Sequence, residues 1–193
     1  MSGTRTLVIA HGKSELIMVK ALAFRLRIPI CTFARDNGAE TIMLSHLSAL
    51  LAAGPFNNER SLHQQFHEHE YCSRRTSAMP DLRIFTIIDV DGADELKKRH
   101  LNKALFGNVC FKDRITPIFN DPNLDVMIKQ IMGYQIKTDK VQSYHEVFDS
   151  ITPEEICDFY LKLKKCSQTN LDEPLEFFIR ITPSLQDKIG KMS

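Results

Sequence analysis

With 193 residues, the chain is long enough for one domain with a substantial core and short for two. Its 25 basic residues nearly cancel its 24 acidic residues, which excludes an overall charge bias toward nucleic acid or anionic membranes. The sequence contains neither a signal-peptide pattern nor a run of roughly 18 apolar residues, and its five scattered cysteines form no CxxC pair. We therefore expect a cytoplasmic protein that does not bind membranes, keeps its cysteines reduced, and contacts nucleic acid only through a local patch.

The predicted elements alternate between strands and helices. Apolar runs predict buried strands at residues 7–10, 30–34, 83–88 and 115–119. Apolar residues at helical spacing, together with helix start and stop residues, predict helices at residues 14–26, 40–53, 93–105, 124–132 and 153–165. This order predicts an α/β fold, in which a mostly parallel sheet of about four strands carries helices on both faces in a Rossmann-like three-layer arrangement.

Two regions depart from this alternation. Residues from about 57 to 80 are polar and histidine-rich and predict a helical insert in an α/β domain that spans residues 1–135. Within it, HQQFHEHEYC is typical of a solvated helix, and the alternative is a zinc site built from His63, His67, His69 and Cys72. Residues 136–193 predict a helical appendage packed on the same core, whose apolar segment LEFFIRITPSL docks either on that core or on a second copy in a homodimer.

Polar residues follow the ends of the predicted strands. They are His11, Arg35, Asp89, Asp91 and Asn120. Because ligands of open α/β sheets bind beyond the carboxyl ends of the strands, we expect these residues to face one crevice.

The sequence DVDGAD ends the strongest predicted strand. Asp89 and Asp91 are two residues apart and project to the same side of an extended chain, where their charges repel unless a cation neutralises them. A hard divalent ion such as Mg²⁺, or Mn²⁺, does so with one or two carboxylates. Asp94 is a third candidate ligand or a helix cap. The alternative for the whole motif is a tight acidic turn in which Gly92 adopts a positive φ.

A second acidic signal is NDPNLD at residues 120–125. Asp121 has the position of a helix cap. Asp125 lies one turn into the predicted helix, where it either faces solvent or points back to the crevice as a further metal ligand.

The opening run LVIAHGKSE permits two interpretations. It resembles the histidine phosphatases, whose first strand ends in Arg-His-Gly followed by a serine or threonine, and whose histidine is phosphorylated. In this chain Ala10 occupies the arginine position, which removes one guanidinium from the phosphate clamp.

The order of motifs along residues 7–133 resembles the Toprim-like domain family, including its OLD-type and RloB-like relatives. In that family the first strand ends in Glu-Gly before a basic and hydroxyl segment, and a later strand ends in Asp-x-Asp. The matching residues here are Gly12, Lys13, Ser14, Glu15, Asp89 and Asp91, with Asp125 at the acid of the RloB-like Asn-Pro segment. His11 replaces the family's strand-ending glutamate, and Glu15 is placed to substitute for it from the first helical turn.

The Toprim-like resemblance implies a metal-dependent phosphodiesterase or nuclease acting on nucleic acid, in phage defence or a mobile element, with or without a partner ATPase. It implies Mg²⁺ or Mn²⁺ on Asp89 and Asp91, with Asp94 and Asp125 as further candidates. The resemblance also implies that phosphate is bound by Gly12, Lys13, Ser14 and Arg35, and that a proton is transferred by His11 or Glu15. The alternatives are a non-catalytic nucleotide- or phosphate-binding module that works through a protein partner, and a metal-independent histidine phosphatase.

Overall fold

A computed structural model describes residues 5–66, 82–107, 109–183 and 185. Four strands form one sheet in which every neighbouring pair is parallel: β1 (Arg5–Ala10), β2 (Cys31–Phe33), β3 (Leu82–Asp89) and β4 (Ile115–Asn120). The strand order is β2-β1-β3-β4. The sheet and the helices around it confirm the predicted three-layer α/β fold.

Eight α-helices surround this sheet within the described residues. They are α1 (Lys13–Leu26), α2 (Leu44–Leu51), α3 (Glu59–Phe66), α4 (Asp94–Leu101), α5 (Leu124–Met132), α6 (Lys140–Phe148), α7 (Pro153–Leu163) and α8 (Asp172–Arg180). No helix in the described part of the chain combines the length and apolarity needed to cross a bilayer. Residues 67–81, which include most of the predicted insert, lie outside the described residues, and so do His67, His69 and Cys72 of the alternative zinc site.

The side chains of the central strands alternate between two buried cores, as the period of two in a strand requires. Val8 packs on one face with α1, α5, α6, α7 and α8, whereas Leu7 and Ile9 pack on the other with α2 and the elements around it. Helices from both predicted regions, 1–135 and 136–193, therefore share one core. The segment LEFFIRITPSL lies mainly in α8, where Phe178 packs against Phe85 of β3.

Several predicted element bounds were wrong for local reasons. The helix predicted from residue 40 begins at Leu44, because a 3₁₀ turn at Arg35–Gly38 places Asp36 and Asn37 in left-handed conformations after β2. Helix α6 begins at Lys140, in a region for which the sequence predicted a helical appendage without separate helix bounds. Asp121 does not cap α5, since Asn123 is the capping residue and accepts the Val126 N–H at 3.2 Å.

Residues 168–170 run along the outer edge of β4. The Asp121 N–H donates to the Gln168 carbonyl at 2.9 Å, and the Phe119 N–H donates to the Asn170 Oδ1 at 2.9 Å. The buried Thr169 hydroxyl lies 2.8 Å from the Phe119 carbonyl and 3.0 Å from Asn120 Oδ1. This segment satisfies backbone groups that an edge strand otherwise presents to solvent.

Candidate functional site

A cavity of about 400 Å³ opens at the carboxyl ends of β1 and β3. Its lining combines predicted site residues with residues that were not predicted. The former are His11, Gly12, Lys13, Ser14, Glu15, Asp89, Asp91 and Asp125, and the latter are Gly38, Thr41, Asn123, Lys140 and Val141. Arg35 and Asp94 do not line it. The folded chain therefore brings together residues that lie more than 100 positions apart in the sequence.

His11 follows β1 and is fixed at both its backbone and its ring. Its N–H donates to the Ile87 carbonyl at 2.8 Å, and its own carbonyl accepts the Ile42 N–H at 2.7 Å. The ring Nδ1 lies 3.0 Å from the Ile42 carbonyl oxygen. Because a carbonyl only accepts, Nδ1 carries the hydrogen, which leaves Nε2 of the neutral ring with its lone pair free to bind a proton or a metal.

The start of α1 packs tightly against the turn after β2. Gly38 has a φ of +88°, and a Cβ at this position would lie 2.7 Å from the Lys13 Cα and 2.8 Å from the Lys13 nitrogen. Only a residue without a side chain permits this close approach of two backbones. The first turn of α1, with its unpaired N–H groups and its positive dipole end, is thereby held beside the cavity.

Glu15 is a carboxyl group buried inside this site. It is only 2% exposed, and its Oε2 accepts the Gly12 N–H at 3.0 Å, as a glutamate in the third position of a helix often does. Burial, and then the negative charge of Asp89, raise the pKa of Glu15 to about 8. Glu15 therefore keeps a proton near neutral pH unless a cation stabilises its charged form.

Asp89 ends β3 and faces the same cavity. Its Oδ1 accepts hydrogen bonds from the Asn120 side chain at 3.0 Å and from the Leu124 N–H at the start of α5 at 3.1 Å. Burial raises the pKa of Asp89 to about 6 despite these two donors, and the charge of Asp91 adds to the rise. Its Oδ2 makes no hydrogen bond to any described residue and is the oxygen left for a ligand.

Asp91 and Asp94 differ in their placement after β3. Asp91 has a φ of 42° and Gly92 a φ of 78°, so the chain makes the tight turn that the sequence indicated as an alternative. Asp91 nevertheless lines the cavity, and its N–H donates to the Pro122 carbonyl at 3.0 Å. Asp94 is exposed in the first turn of α4 and lies outside the cavity.

Asp125 is held by two residues of α6 that the sequence analysis missed. The Tyr144 hydroxyl donates to Asp125 Oδ1 at 2.9 Å, and the Lys140 ammonium lies 2.5 Å from Oδ2. Burial and the Asp125 charge raise the pKa of Tyr144 above its usual range, so Tyr144 stays a donor. The sequence signal for this helix is Asp139, whose side chain accepts the Gln142 N–H at 3.0 Å as an N-cap.

Arg35, which was predicted to bind phosphate, does not reach the cavity. Its guanidinium lies 2.5 Å from the Glu40 carboxylate, and both side chains are about half exposed. No arginine lines the cavity among the described residues. The histidine-phosphatase interpretation needs guanidinium groups around its histidine, so the geometry disfavours it.

The acidic side chains in the cavity are candidate ligands for a hard cation. No group of three His, Cys, Asp or Glu side chains within the described residues is placed to hold one ion. Mg²⁺ commonly uses one or two protein carboxylates and fills its remaining positions with water and phosphate oxygens. The neighbouring carboxyl groups of Glu15 and Asp89 match that pattern.

Comparisons with protein-family models, with curated proteins and with solved structures gave no match to this chain.

Proposed function

We propose that this chain is a Mg²⁺- or Mn²⁺-dependent phosphodiesterase that cleaves nucleic acid, the activity implied by its Toprim-like motifs. The observation that carries the proposal is a pair of acids that line one cavity: the buried Glu15 in the first turn of α1 and the partly buried Asp89 at the end of β3. Burial raises the pKa of both acids, and the negative charge of Asp89 adds to the rise at Glu15. Such a pair is costly for folding and is typical of a site that binds a cation.

Glu15 and Asp89 would hold the cation, with Asp91 at the exposed rim of the cavity. A divalent ion there would polarise a phosphodiester and stabilise the charge of the leaving oxygen. The Asn120 amide and the Leu124 N–H fix one oxygen of Asp89, so the orientation of this carboxylate is set before a ligand arrives.

The phosphate would lie against the first turn of α1. The N–H groups at this turn point along the helix axis toward the cavity, and Lys13 supplies a positive charge beside them. Lys140 adds a second ammonium from the opposite side, where it is already paired with Asp125. Two ammonium groups and a helix start form a binding site for a phosphodiester anion.

His11 is the residue best placed to accept a proton from the attacking water. Its Nδ1 hydrogen is committed to the Ile42 carbonyl, so the lone pair of Nε2 is available in a residue that lines the cavity. A neutral imidazole is suited to take up a proton near neutral pH. Glu15 would give up its own proton when a cation binds, and it acts in this proposal as a ligand and not as the base.

Metal binding and hydrolysis test the proposal separately. Calorimetry with Mg²⁺ and Mn²⁺ would compare the wild type with Asp89→Asn, which keeps an oxygen for the two N–H donors, and with Asp94→Asn, an exposed acid outside the cavity. We expect binding by the wild type and by Asp94→Asn, and its loss in Asp89→Asn. Labelled DNA and RNA oligonucleotides, and the small diester bis(p-nitrophenyl) phosphate, would then report cleavage in the presence of the metal.

The proposal fails if the wild type binds neither ion in the presence of a phosphodiester. It also fails if the ion binds but neither the wild type nor His11→Gln cleaves a diester, since the cavity would then serve only to bind phosphate. Metal-dependent cleavage that is lost in Asp89→Asn and retained in Asp94→Asn supports it.

A further inference from the structure

A second cavity, of about 520 Å³, lies along α1 and against α6. Lys13 lines both this cavity and the candidate site, so the two are continuous at the start of α1. Phe24 and Arg25, near the other end of α1, also line it, and His145 and Asp149 border it on the side of α6. We refer to this cavity as the α1/α6 groove.

Three residues on one face of α1 form a line along the groove, which we call the track. Lys13, Lys20 and Phe24 are separated by seven and four positions, so they lie on one face of α1. Lys13 and Phe24 are eleven positions apart, which corresponds to about 16 Å of helix axis at 1.5 Å per residue. That distance accommodates roughly four or five nucleotides of a stacked single strand at 3.4 Å each.

The charge of the groove is positive. Lys13, Lys20 and Arg25 form no ion pair with any carboxylate of the described residues. The carboxylate of Asp149 lies 3.0 Å from the His145 Nδ1, which offsets its charge when the ring is protonated. Three unpaired cations along one track complement the regularly spaced negative charges of a phosphodiester backbone.

Phe24 adds an exposed aromatic ring to this track. Its side chain is 76% exposed, the largest fraction among the exposed large hydrophobic residues of the described chain. The Arg25 guanidinium lies 5.8 Å from the centroid of the same ring. A single-strand-binding surface combines these two features, because bases stack on aromatic faces while cations follow the backbone.

We propose that the α1/α6 groove binds a single strand of nucleic acid, with a base stacked on Phe24 and phosphates on Lys20 and Lys13, and leads it to the candidate site. The inference rests on the proposed function for the direction of the strand, whereas binding itself requires only the groove. A duplex keeps its bases paired and stacked and cannot offer one to Phe24, so the groove selects single strands.

Fluorescence anisotropy in EDTA tests this groove without any catalytic metal. Fluorescein-labelled dT10 and U10, and a ten-base-pair duplex, would be titrated with the wild type, Phe24→Ala, Phe24→Trp and Lys20→Ala. We expect Phe24→Ala to weaken single-strand binding about tenfold, within the range of roughly five- to 150-fold that corresponds to one stacked base, and Phe24→Trp to retain it. Lys20→Ala should lower the slope of log affinity against log salt by about 0.7. Leu101→Ala, an exposed apolar residue on α4, is the matched control and should bind as the wild type does.

Two results would overturn the inference: equal affinity of wild type and Phe24→Ala for both single strands, or tighter binding of the duplex than of either strand. Comparison of dT10 with U10 decides between DNA and RNA. Hydrolysis of bis(p-nitrophenyl) phosphate, which is too small to occupy the groove, separates this inference from the proposed function. If Phe24→Ala hydrolyses the diester as the wild type does but binds single strands more weakly, the proposed role of the groove is supported. If the wild type binds single strands but hydrolyses no diester, only the proposed catalysis is refuted.

Discussion

Replacement of Glu15 by glutamine should stabilise the metal-free protein as the pH rises. The pKa of Glu15 is raised from 4.5 to about 8 in the folded chain, so folding at neutral pH requires this carboxyl to take up a proton. For an acid with a raised pKa, the favourable contribution is complete below pH 4.5 and is lost as the pH rises toward 8. Glutamine carries no such requirement, and its side-chain oxygen can still accept the Gly12 N–H.

The expected magnitude follows from the linkage between pKa and stability. At pH 7 the proton uptake costs up to about 3 kcal/mol, because the pH is about 2.5 units above the unfolded pKa and one unit is worth about 1.36 kcal/mol. Near pH 4.5 the cost is close to zero. We therefore expect Glu15→Gln to raise the free energy of unfolding by about 1 to 3 kcal/mol at pH 7 and by only a few tenths at pH 4.5.

Urea denaturation followed by circular dichroism, in EDTA between pH 4.5 and 8, provides the measurement. The difference between Glu15→Gln and the wild type is the informative quantity. The contribution of His100 to stability is the same in both proteins and therefore cancels in this difference. Burial lowers the pKa of His100 to about 4, so its contribution is lost in the opposite direction, as the pH falls below 6.5. Glu95→Gln, which removes an exposed carboxyl on α4, is the control for the loss of one acidic group.

A difference that stays constant from pH 4.5 to 8 would refute the reasoning, because Glu15 would then have the same pKa in the folded and unfolded chain. The same variants should respond oppositely to metal. Saturating Mg²⁺ should stabilise the wild type progressively more as the pH rises, since binding and proton release are linked, and should leave Glu15→Gln nearly unchanged.

Three further changes test other parts of the site. Gly38→Ala should lower the free energy of unfolding by about 2 to 4 kcal/mol in urea denaturation, because its Cβ would meet the Lys13 backbone, whereas Gly92→Ala, with open space around it, should cost only about 1 kcal/mol. Tyr144→Phe should lower thermal stability by about 1 kcal/mol, the value of its hydrogen bond to Asp125; an unchanged midpoint would contradict that bond. Asp89→Asn should stabilise the metal-free protein at pH 7 by about 1 to 3 kcal/mol, since the pKa of Asp89 is raised to about 6, and a destabilised variant in urea denaturation would count against this.

The fold was predictable because its strands are largely apolar and alternate with helices along the chain. Most residues of β1, β3 and β4 are apolar, as expected for strands covered on both faces, and each strand precedes a helix. The positions of Glu15 and Asp89 beside each other also follow from this order. Carboxyl ends of parallel strands meet at one edge of the sheet.

The parts that escaped prediction depend on distant contacts. The buried residues of α6 include Ser143 and Tyr144, which give only a weak apolar period, and nothing local indicates that Lys140 pairs with Asp125 across the cavity. The turn that diverts Arg35 toward Glu40 depends on three successive residues with positive φ. The position of Arg35 after a strand therefore led to the wrong prediction that its side chain faces the cavity.

The segment at residues 168–170 also determines how the activity of a truncated protein should be interpreted. Thr169 contacts the Oδ1 of Asn120, and the amide of Asn120 in turn donates to Asp89. A chain cut before residue 168 would free that amide and leave the edge of β4 open to pairing with another extended segment. Inactivity of such a truncated protein would thus reflect a misoriented carboxylate or self-association, and would be no sign that the C-terminal region has an activity of its own.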